Sequence, residues 1–181
     1  MFSFADLCQN GKRRYSGYCY SINEDKKDFN NAKASCKEQN AYLADINSAE
    51  ENQFLEKINF DGMMLIGLND VNHEKLFIWD HSGKKPTYTN FHGAGRQPDN
   101  FNGDEDCVEI YLNTHDSGVR GKWNDIPCST QLPYVCKSGK VKDMQPSAMY
   151  VKLKGDLPFS WRPSTRIRIQ LQAKAKSIQN V

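Results

Sequence analysis

The residues with the most evident chemistry lie in one short stretch, RQPDNFNGDEDC, at positions 96–107. It contains seven side chains with an oxygen atom that can bind a cation: Gln97, Asp99, Asn100, Asn102, Asp104, Glu105 and Asp106. Calcium binds about six to eight oxygen atoms from carboxylates, amides, carbonyls and water, and it would offset the repulsion among the crowded carboxylates. Asn124 and Asp125 form a second patch of this type after Cys107. The stretch therefore predicts a calcium site, and the alternative interpretation is a solvated acidic loop.

Other metals and catalytic chemistry match these residues poorly. The stretch contains no histidine and no free cysteine, whereas soft metals prefer imidazole and thiolate ligands. The D-x-[DN]-x-[DN]-G-x₅-E pattern of an EF-hand is absent from the chain. The four histidines, at positions 73, 81, 92 and 115, are scattered, mostly beside polar residues, and no Ser/His/Asp signature is present. We therefore expect calcium as the cofactor and no enzymatic activity.

Six cysteines, at positions 8, 19, 36, 107, 128 and 136, indicate an oxidising compartment. None belongs to a C-x-x-C pair, and an even number at wide spacing fits a disulfide framework, although spacing alone does not select the pairing. Six buried free thiols in the cytosol are the alternative. The start, MFSFADLC, lacks the segments of a secretory signal, so we expect a processed chain or a fragment. We expect a secreted or extracellular protein without a membrane span.

Charge divides the chain into two regions just after Cys136. Residues 1–136 contain 14 Lys and Arg against 20 Asp and Glu, a net of −6, whereas residues 137–181 contain 10 against 2, a net of +8. We therefore predict a first domain at 1–137 and a basic, β-prone tail at 138–181. Within the tail, MYVKLK and RIRIQLQAKAK alternate apolar and polar residues, which indicates two strands. The interpretations are a truncated second β domain, an oligomerisation arm, a basic face for polyanions or a partly disordered segment.

The order of the predicted elements indicates an α+β domain. Two amphipathic helices are expected, one over residues 26–39 and one after Ser48, which forms a capping box with Glu51. The expected strands are residues 12–23 with a turn, AYLADI (41–46), MMLIGL (63–68), CVEIYL (107–112), GKWND (121–125) and PYVCK (133–137). Residues 69–106 lack a regular pattern but contain aromatics, which indicates one long, ordered and functional loop.

The chain resembles a C-type lectin domain over residues 8–136. The resemblance is carried by the six cysteines together with SAEENQFL (48–55), LIGLND (65–70), QPD (97–99), EDC (105–107), WND (123–125) and YVC (134–136). It implies the C-type lectin-like fold, in which two helices and antiparallel strands support a long calcium-binding loop. It also implies the disulfides Cys8–Cys19, Cys36–Cys136 and Cys107–Cys128, the first of which marks the longer form of the domain.

The resemblance further implies two calcium sites. The principal ion would be held by the side chains of Gln97, Asp99, Glu105, Asn124 and Asp125, and by the backbone carbonyl of Asp125. A cis peptide bond at Pro98 would turn both flanking side chains toward that ion. An auxiliary ion would be held by residues that match Asp70, Glu74, Asn100, Glu105 and Asp106. Asn100 stands where aspartate is frequent, whereas every position of the principal site matches the family pattern.

Members of this family bind sugar through the calcium ion, and the resemblance implies the same here. Two neighbouring hydroxyl groups coordinate the ion and hydrogen-bond its ligands, so the order of acid and amide matters. Gln-Pro-Asp, at 97–99, is typical of members that prefer galactose or N-acetylgalactosamine, whereas Glu-Pro-Asn is typical of mannose binders. The implied sugar-binding residues are Gln97, Asp99, Glu105, Asn124 and Phe101. Phe101 is expected to stack on the apolar face of galactose, and the alternative is that it packs the loop.

The sequence therefore predicts a secreted or cell-surface lectin that requires calcium and binds galactose-type glycans on glycoproteins or cell surfaces. We expect neither a nucleic-acid partner nor catalysis. Because a single lectin site is typically weak, several sites in an oligomer are expected to supply useful avidity. The alternatives are a protein-binding C-type lectin-like domain in which calcium is only structural, and a surface-active protein that binds ice or mineral through the same loop.

Overall fold

The computed structural model describes Cys8, residues 12–112 and residues 118–139. The predicted basic tail lies outside the described residues from residue 140 onward, as does His115. The described helices are α1 (Phe29–Glu38) and α2 (Ala49–Glu56). The strands are β1 (Arg13–Tyr15), β2 (Tyr18–Lys27), β3 (Tyr42–Leu43), β4 (Met63–Asn69), β5 (Ile78–Trp79), β6 (Cys107–Tyr111), β7 (Trp123–Ile126) and β8 (Leu132–Ser138). The predicted α+β class is confirmed.

The strands of the described residues form one sheet, in the order β1-β2-β8-β4-β6-β7, with β3 paired to β8 and β5 paired to β4. The β4–β8 pair is parallel, and the other pairs are antiparallel. The strand that follows the oxygen-rich stretch is β6, which lies between β4 and β7. It is therefore beside the strand that carries Asn124 and Asp125. Neither helix of the described residues is long and apolar enough to cross a membrane.

Both helices begin at a side-chain cap, as polar residues at these positions favour. The Asp28 carboxylate accepts a hydrogen bond from the Asn31 backbone N–H at 2.9 Å, so α1 begins later than the predicted residue 26 because β2 continues to Lys27. Ser48 Oγ accepts from the Glu51 backbone N–H at 3.2 Å, as predicted. The Glu51 carboxylate does not complete the reciprocal box with Ser48, because it accepts from the Asn47 N–H instead.

The expected strands are present, but their bounds differ: β3 and β6 are shorter than predicted, whereas β4 and β8 are longer. Of AYLADI, only Tyr42–Leu43 forms a strand, and the Ala44 N–H donates to Val135 O at 2.9 Å before the chain turns toward α2. The long segment 69–106 is mostly irregular, but it contains β5 and two 3₁₀ turns, Gly93–Gly95 and Phe101–Gly103. The interpretation of this segment as a long excursion of the chain is thus confirmed in outline.

The central strands bury side chains on both faces of the sheet. Residues 64, 66 and 68 of β4 belong to one apolar cluster with Leu55 and Ile58, whereas residue 65 belongs to a second cluster with Phe29 and Ala32. Because successive side chains of a strand point to opposite faces, the two clusters lie on opposite sides of the sheet. The α2 region therefore packs on one face and α1 on the other.

Three disulfides connect these elements. Cys8–Cys19 joins the N-terminal segment to β2, Cys36–Cys136 joins α1 to β8, and Cys107–Cys128 joins the start of β6 to the segment after β7. These are the three pairs that the resemblance implied, and no cysteine is left free. The third bridge ties the end of the oxygen-rich stretch, at Cys107, to the segment that follows β7.

Candidate functional site

Three of the predicted ligands form a compact group of carboxylates. Asp99, Glu105 and Asp125 each offer an oxygen atom, and these atoms all lie within 4.8 Å of one another. Asp125 lies in β7 and is only 1% exposed, Glu105 lies just before β6, and Asp99 belongs to the loop. The pairing of β6 with β7 places Cys107 opposite Ile126. It therefore brings Asp125 close to Glu105 and Asp99, which lie 20 and 26 positions before it in sequence.

The same carboxylates hold the backbone of the loop. Asp125 Oδ1 accepts a hydrogen bond from the Asp99 N–H at 3.1 Å, and Asp125 Oδ2 accepts from the Asn100 N–H at 2.8 Å. Glu105 Oε2 accepts from the Phe101 N–H at 2.8 Å. Asn100 has a φ of 45°, in the left-handed region that asparagine tolerates better than most residues. The loop is therefore tied to buried Asp125 by charge-assisted hydrogen bonds.

The electrostatics of this group favour a cation. Burial raises the pKa of Glu105, and the negative charges of Asp125 and Asp99 raise it further, although the Phe101 N–H opposes the shift. A raised pKa means that the ionised carboxyl group is disfavoured without a compensating positive charge. A divalent cation among the three carboxylates would supply that charge.

The two predicted amide ligands lie beside members of this group in sequence. The Gln97–Pro98 peptide bond is cis, as the resemblance implied, and Gln97 Oε1 is buried without a hydrogen-bond partner among the described residues. Asn124 precedes Asp125 in β7, and its Nδ2 donates to Glu109 Oε1 at 3.0 Å. An acceptor oxygen that is buried and unpaired normally costs free energy, and a metal ion would satisfy it. The donor set, all oxygen and mostly anionic, fits calcium.

The residues predicted for the auxiliary ion are arranged differently. Asp70 is buried, its Oδ2 accepts from the Lys75 N–H at 2.7 Å, and its Oδ1 has no hydrogen-bond partner among the described residues. Asn100 Nδ2 donates to Glu74 Oε2 at 2.6 Å, and Asn100 Oδ1 accepts from the Glu105 N–H at 3.0 Å.

Asp106 belongs to the same neighbourhood, since its backbone carbonyl accepts from the Asp70 N–H at 3.0 Å. Burial raises the pKa of Asp70, and the charges of Glu74, Asp106 and Asp125 raise it further against the opposing Lys75 N–H. Within the described residues, however, the only three-carboxylate group with metal-ligand spacing is the principal one. Asp70 and its neighbours therefore carry less evidence for an ion than the principal group does.

Phe101 is 66% exposed, although phenylalanine is normally a buried residue. The residue opens the second 3₁₀ turn, and its backbone N–H is held by Glu105. The backbone is thus fixed while the ring remains open to solvent.

Glu109 is a residue of this site that sequence reasoning missed. It lies in β6, is 4% exposed, and its pKa is raised to about 7, chiefly by burial and to a smaller extent by Glu105, against the opposing Asn124 hydrogen bond. The signal was available, because CVEIYL places one carboxylate inside an apolar strand that predicts burial. Charged residues are rarely buried without a specific partner.

The family model described as "Lectin C-type domain" matches residues 25–138, which make up 63% of the chain. The chain therefore belongs to the C-type lectin domain family. Members of this family are in general not enzymes and usually bind calcium. The prediction of this family from the motifs is confirmed.

Two relatives and three solved structures illustrate the similarity. The chain is 36% identical over 137 residues to the versican core protein of Rattus norvegicus, and 32% identical over 133 residues to C-type mannose receptor 2 of Homo sapiens. These matches cover 75% and 72% of this chain but only 5% and 8% of the two relatives.

Among solved structures, the mouse scavenger receptor C-type lectin carbohydrate-recognition domain is 28% identical with a TM-score of 0.65, and the match covers 74% of this chain and 98% of that one. The C-type lectin CEL-I from Cucumaria echinata is 28% identical with a TM-score of 0.63, over 75% of this chain and 99% of that one. A calcium-independent type II antifreeze protein, 20% identical with a TM-score of 0.64 over 74% of this chain and 95% of that one, shares the fold alone.

Proposed function

We propose that residues 1–137 form a calcium-dependent carbohydrate-recognition domain. The observation that carries the proposal is the group of Asp99, Glu105 and Asp125 oxygens within 4.8 Å of one another. It is supported by Gln97, two positions before Asp99, whose Oε1 is buried without a hydrogen-bond partner among the described residues. With Asn124, these residues are the ones that would hold the ion. Calcium would supply open coordination positions for two sugar hydroxyls, and the ligand side chains would hydrogen-bond the same hydroxyls.

The preferred sugars are galactose and N-acetylgalactosamine in this proposal. Gln97 offers amide N–H donors, whereas Asp99 offers only acceptor oxygens. The order of these two residues therefore determines which arrangement of sugar hydroxyls can hydrogen-bond the site. The exposed Phe101 ring supports the proposal, because a free aromatic face can pack against the apolar C–H patch of galactose.

The natural setting that we propose is extracellular, where disulfides persist. The partners would be galactose-type glycans on glycoproteins or cell surfaces, with several domains in an oligomer for avidity. Residues 138–181 are proposed to be a basic, β-prone tail or a truncated second domain.

Retention on galactose–agarose tests the proposal. We expect binding in millimolar calcium, elution by EDTA, and no retention of Asp125→Asn, because that substitution removes a buried ligand charge. Lys33→Met is the matched control, since Lys33 lies in α1, outside the candidate site, and should leave retention unchanged. Retention that survives EDTA would refute the calcium-bridged mechanism.

Specificity is tested by exchanging the two motif side chains. Gln97→Glu with Asp99→Asn should shift preference toward mannose, because the exchange reverses the donor and acceptor order. Phe101→Ala should weaken galactose more than mannose if the ring stacks on the sugar. An unchanged preference in both variants would mean that the shape of the loop, and not these groups, determines specificity.

Protein binding is a second candidate function, favoured by one observation. Val71, Leu76 and Phe101 are the large apolar side chains that are exposed among the described residues. In sequence, Val71 and Leu76 lie on either side of Glu74, and Phe101 follows Asn100; the hydrogen bond from Asn100 Nδ2 to Glu74 Oε2 brings these two segments together. Exposed apolar residues grouped in this way are typical of protein contacts. A glycan array that gives no calcium-dependent signal, together with calcium-dependent retention of a protein ligand, would favour this candidate.

A further inference from the structure

The buried carboxylate of Glu109 has few neighbours that could hydrogen-bond it across the sheet. In the middle of the sheet, Glu109 pairs with Leu65 of β4 on one side and with Asn124 of β7 on the other. The side chain of Leu65 is apolar. Of these two paired residues, only Asn124 can therefore donate a side-chain hydrogen bond to Glu109. The hydrogen bond from Asn124 Nδ2 to Glu109 Oε1, at 3.0 Å, therefore links two side chains that face each other directly across β6 and β7.

The chemistry of this pair determines the orientation of an amide. An asparagine side chain has an acceptor oxygen at one end and a donor NH₂ group at the other, and the two ends have nearly the same shape. In the structure, Glu109 Oε1 accepts from the Nδ2 end of Asn124, and an ionised carboxylate could be satisfied by that end only. The Oδ1 end is then left for another partner, and only that end can ligate a cation.

We propose that Glu109 is a positioning residue that selects the calcium-binding rotamer of Asn124. This inference rests on the proposed function insofar as Asn124 is a ligand of the principal ion. Glu109 would act through Asn124 and would not touch the ion or the sugar itself. Partners that orient metal ligands typically change metal affinity by about 10–100-fold when they are removed.

Titration with terbium, with calcium as competitor, tests the proposal on the intact chain. We expect Glu109→Ala to weaken calcium binding by about 10–100-fold. Glu109→Gln should lose less, because the glutamine retains an acceptor oxygen but can also donate. The ion-free melting temperature should stay the same or rise in Glu109→Gln, because a buried charge has been removed, and that combination is not expected of a merely structural residue.

The decisive comparison is made in the Asn124→Ala background. If Glu109 acts through Asn124, then Glu109→Gln should cause no further loss of calcium affinity once Asn124 is absent. Equal losses in both backgrounds would overturn the proposal, because they would mean that the Glu109 charge acts on the ion through space. Unchanged affinity in Glu109→Ala would overturn it as well.

A second measurement separates this proposal from the proposed function. In calcium-free protein, the Asn124 side-chain NH₂ resonances, assigned by their loss in Asn124→Ala, should move in Glu109→Gln. If the protein binds neither calcium nor terbium, the proposed function fails, and these resonances still decide whether Glu109 holds the amide. Resonances that do not respond to Glu109→Gln would overturn the positioning role.

Discussion

The buried ammonium group of Lys137 offers a direct test of how this domain is held together. Lys137 lies in β8 with a side chain that is 3% exposed, and its Nζ lies 2.6 Å from Glu51 Oε1 and 2.9 Å from Asp45 Oδ1. Nζ also donates to the backbone carbonyl of Asp45 at 2.9 Å, whereas Asp45 Oδ1 makes an ionic contact without a hydrogen bond. Tyr20 donates its hydroxyl to the same Glu51 oxygen at 2.5 Å. The ammonium group therefore joins β8 to α2 and to the segment after β3.

Lys137→Met keeps most of the apolar stem but removes the charge, which leaves two buried carboxylates without a cation. Breaking a buried ion pair in this way costs about 3–5 kcal/mol, because the desolvation of the remaining charges is no longer compensated. For a domain of this size, the loss corresponds to a fall in Tm of roughly 10–20 °C. The control is Lys33→Met, since Lys33 Nζ lies 2.6 Å from Asp80 Oδ1 but its side chain is 52% exposed. Exposed pairs contribute about 0–1 kcal/mol.

Urea unfolding with the disulfides intact, followed by tryptophan fluorescence, measures both variants. The two substitutions are chemically identical, and each removes an ion pair of 2.6 Å; the two lysines differ in burial and in the second carboxylate, Asp45, that lies beside Lys137. Adding Glu51→Gln to Lys137→Met should recover part of the lost stability, because one of the uncompensated charges is removed. The reasoning is refuted if Lys137→Met costs no more than Lys33→Met.

Three further results are expected. Calcium should raise the Tm of the wild-type domain but not that of Asp125→Asn, as differential scanning fluorimetry with and without EDTA would show; equal shifts in both would exclude Asp125 as a ligand. The raised pKa values of Glu105 and Asp70 destabilise the ion-free fold at neutral pH and let protons compete with calcium as the pH falls. The calcium-induced Tm shift should therefore shrink as the pH is lowered from neutral. A shift independent of pH would contradict this. Asn52→Ala should cost about 1–3 kcal/mol in urea unfolding, because the Trp123 Nε1–H, 2.8 Å from Asn52 Oδ1, would lose its buried acceptor; a cost below that range would mean that water replaces the amide.

Local sequence patterns predicted the elements whose signals are themselves local. Ser48 and its capping interaction marked the start of α2, and the apolar run before Asn69 marked β4. The errors fell at boundaries, as at Asp28, where helical periodicity continued back into residues that tertiary pairing recruits into β2. Propensity is a weak signal at such positions, because strand pairing can override it.

The candidate calcium group was also readable in the chain, because its residues are dense in one loop and match a family motif. Asp99 and Glu105 are six positions apart, and the motif implied that Asp125 joins them. The chemical identity of the candidate ligands was therefore predictable from the sequence.

The contacts of Glu109 and Lys137 were decided only by the tertiary structure. Glu109 meets Asn124 across β6 and β7, and Lys137 meets Glu51 at a sequence separation of 86. Neither partner is implied by the neighbouring residues, because the local pattern of a strand can predict that a side chain is buried but not which residue of another element lies opposite it. Strand order and register select the partner, and burial then makes that single contact worth several times what it would contribute at the surface.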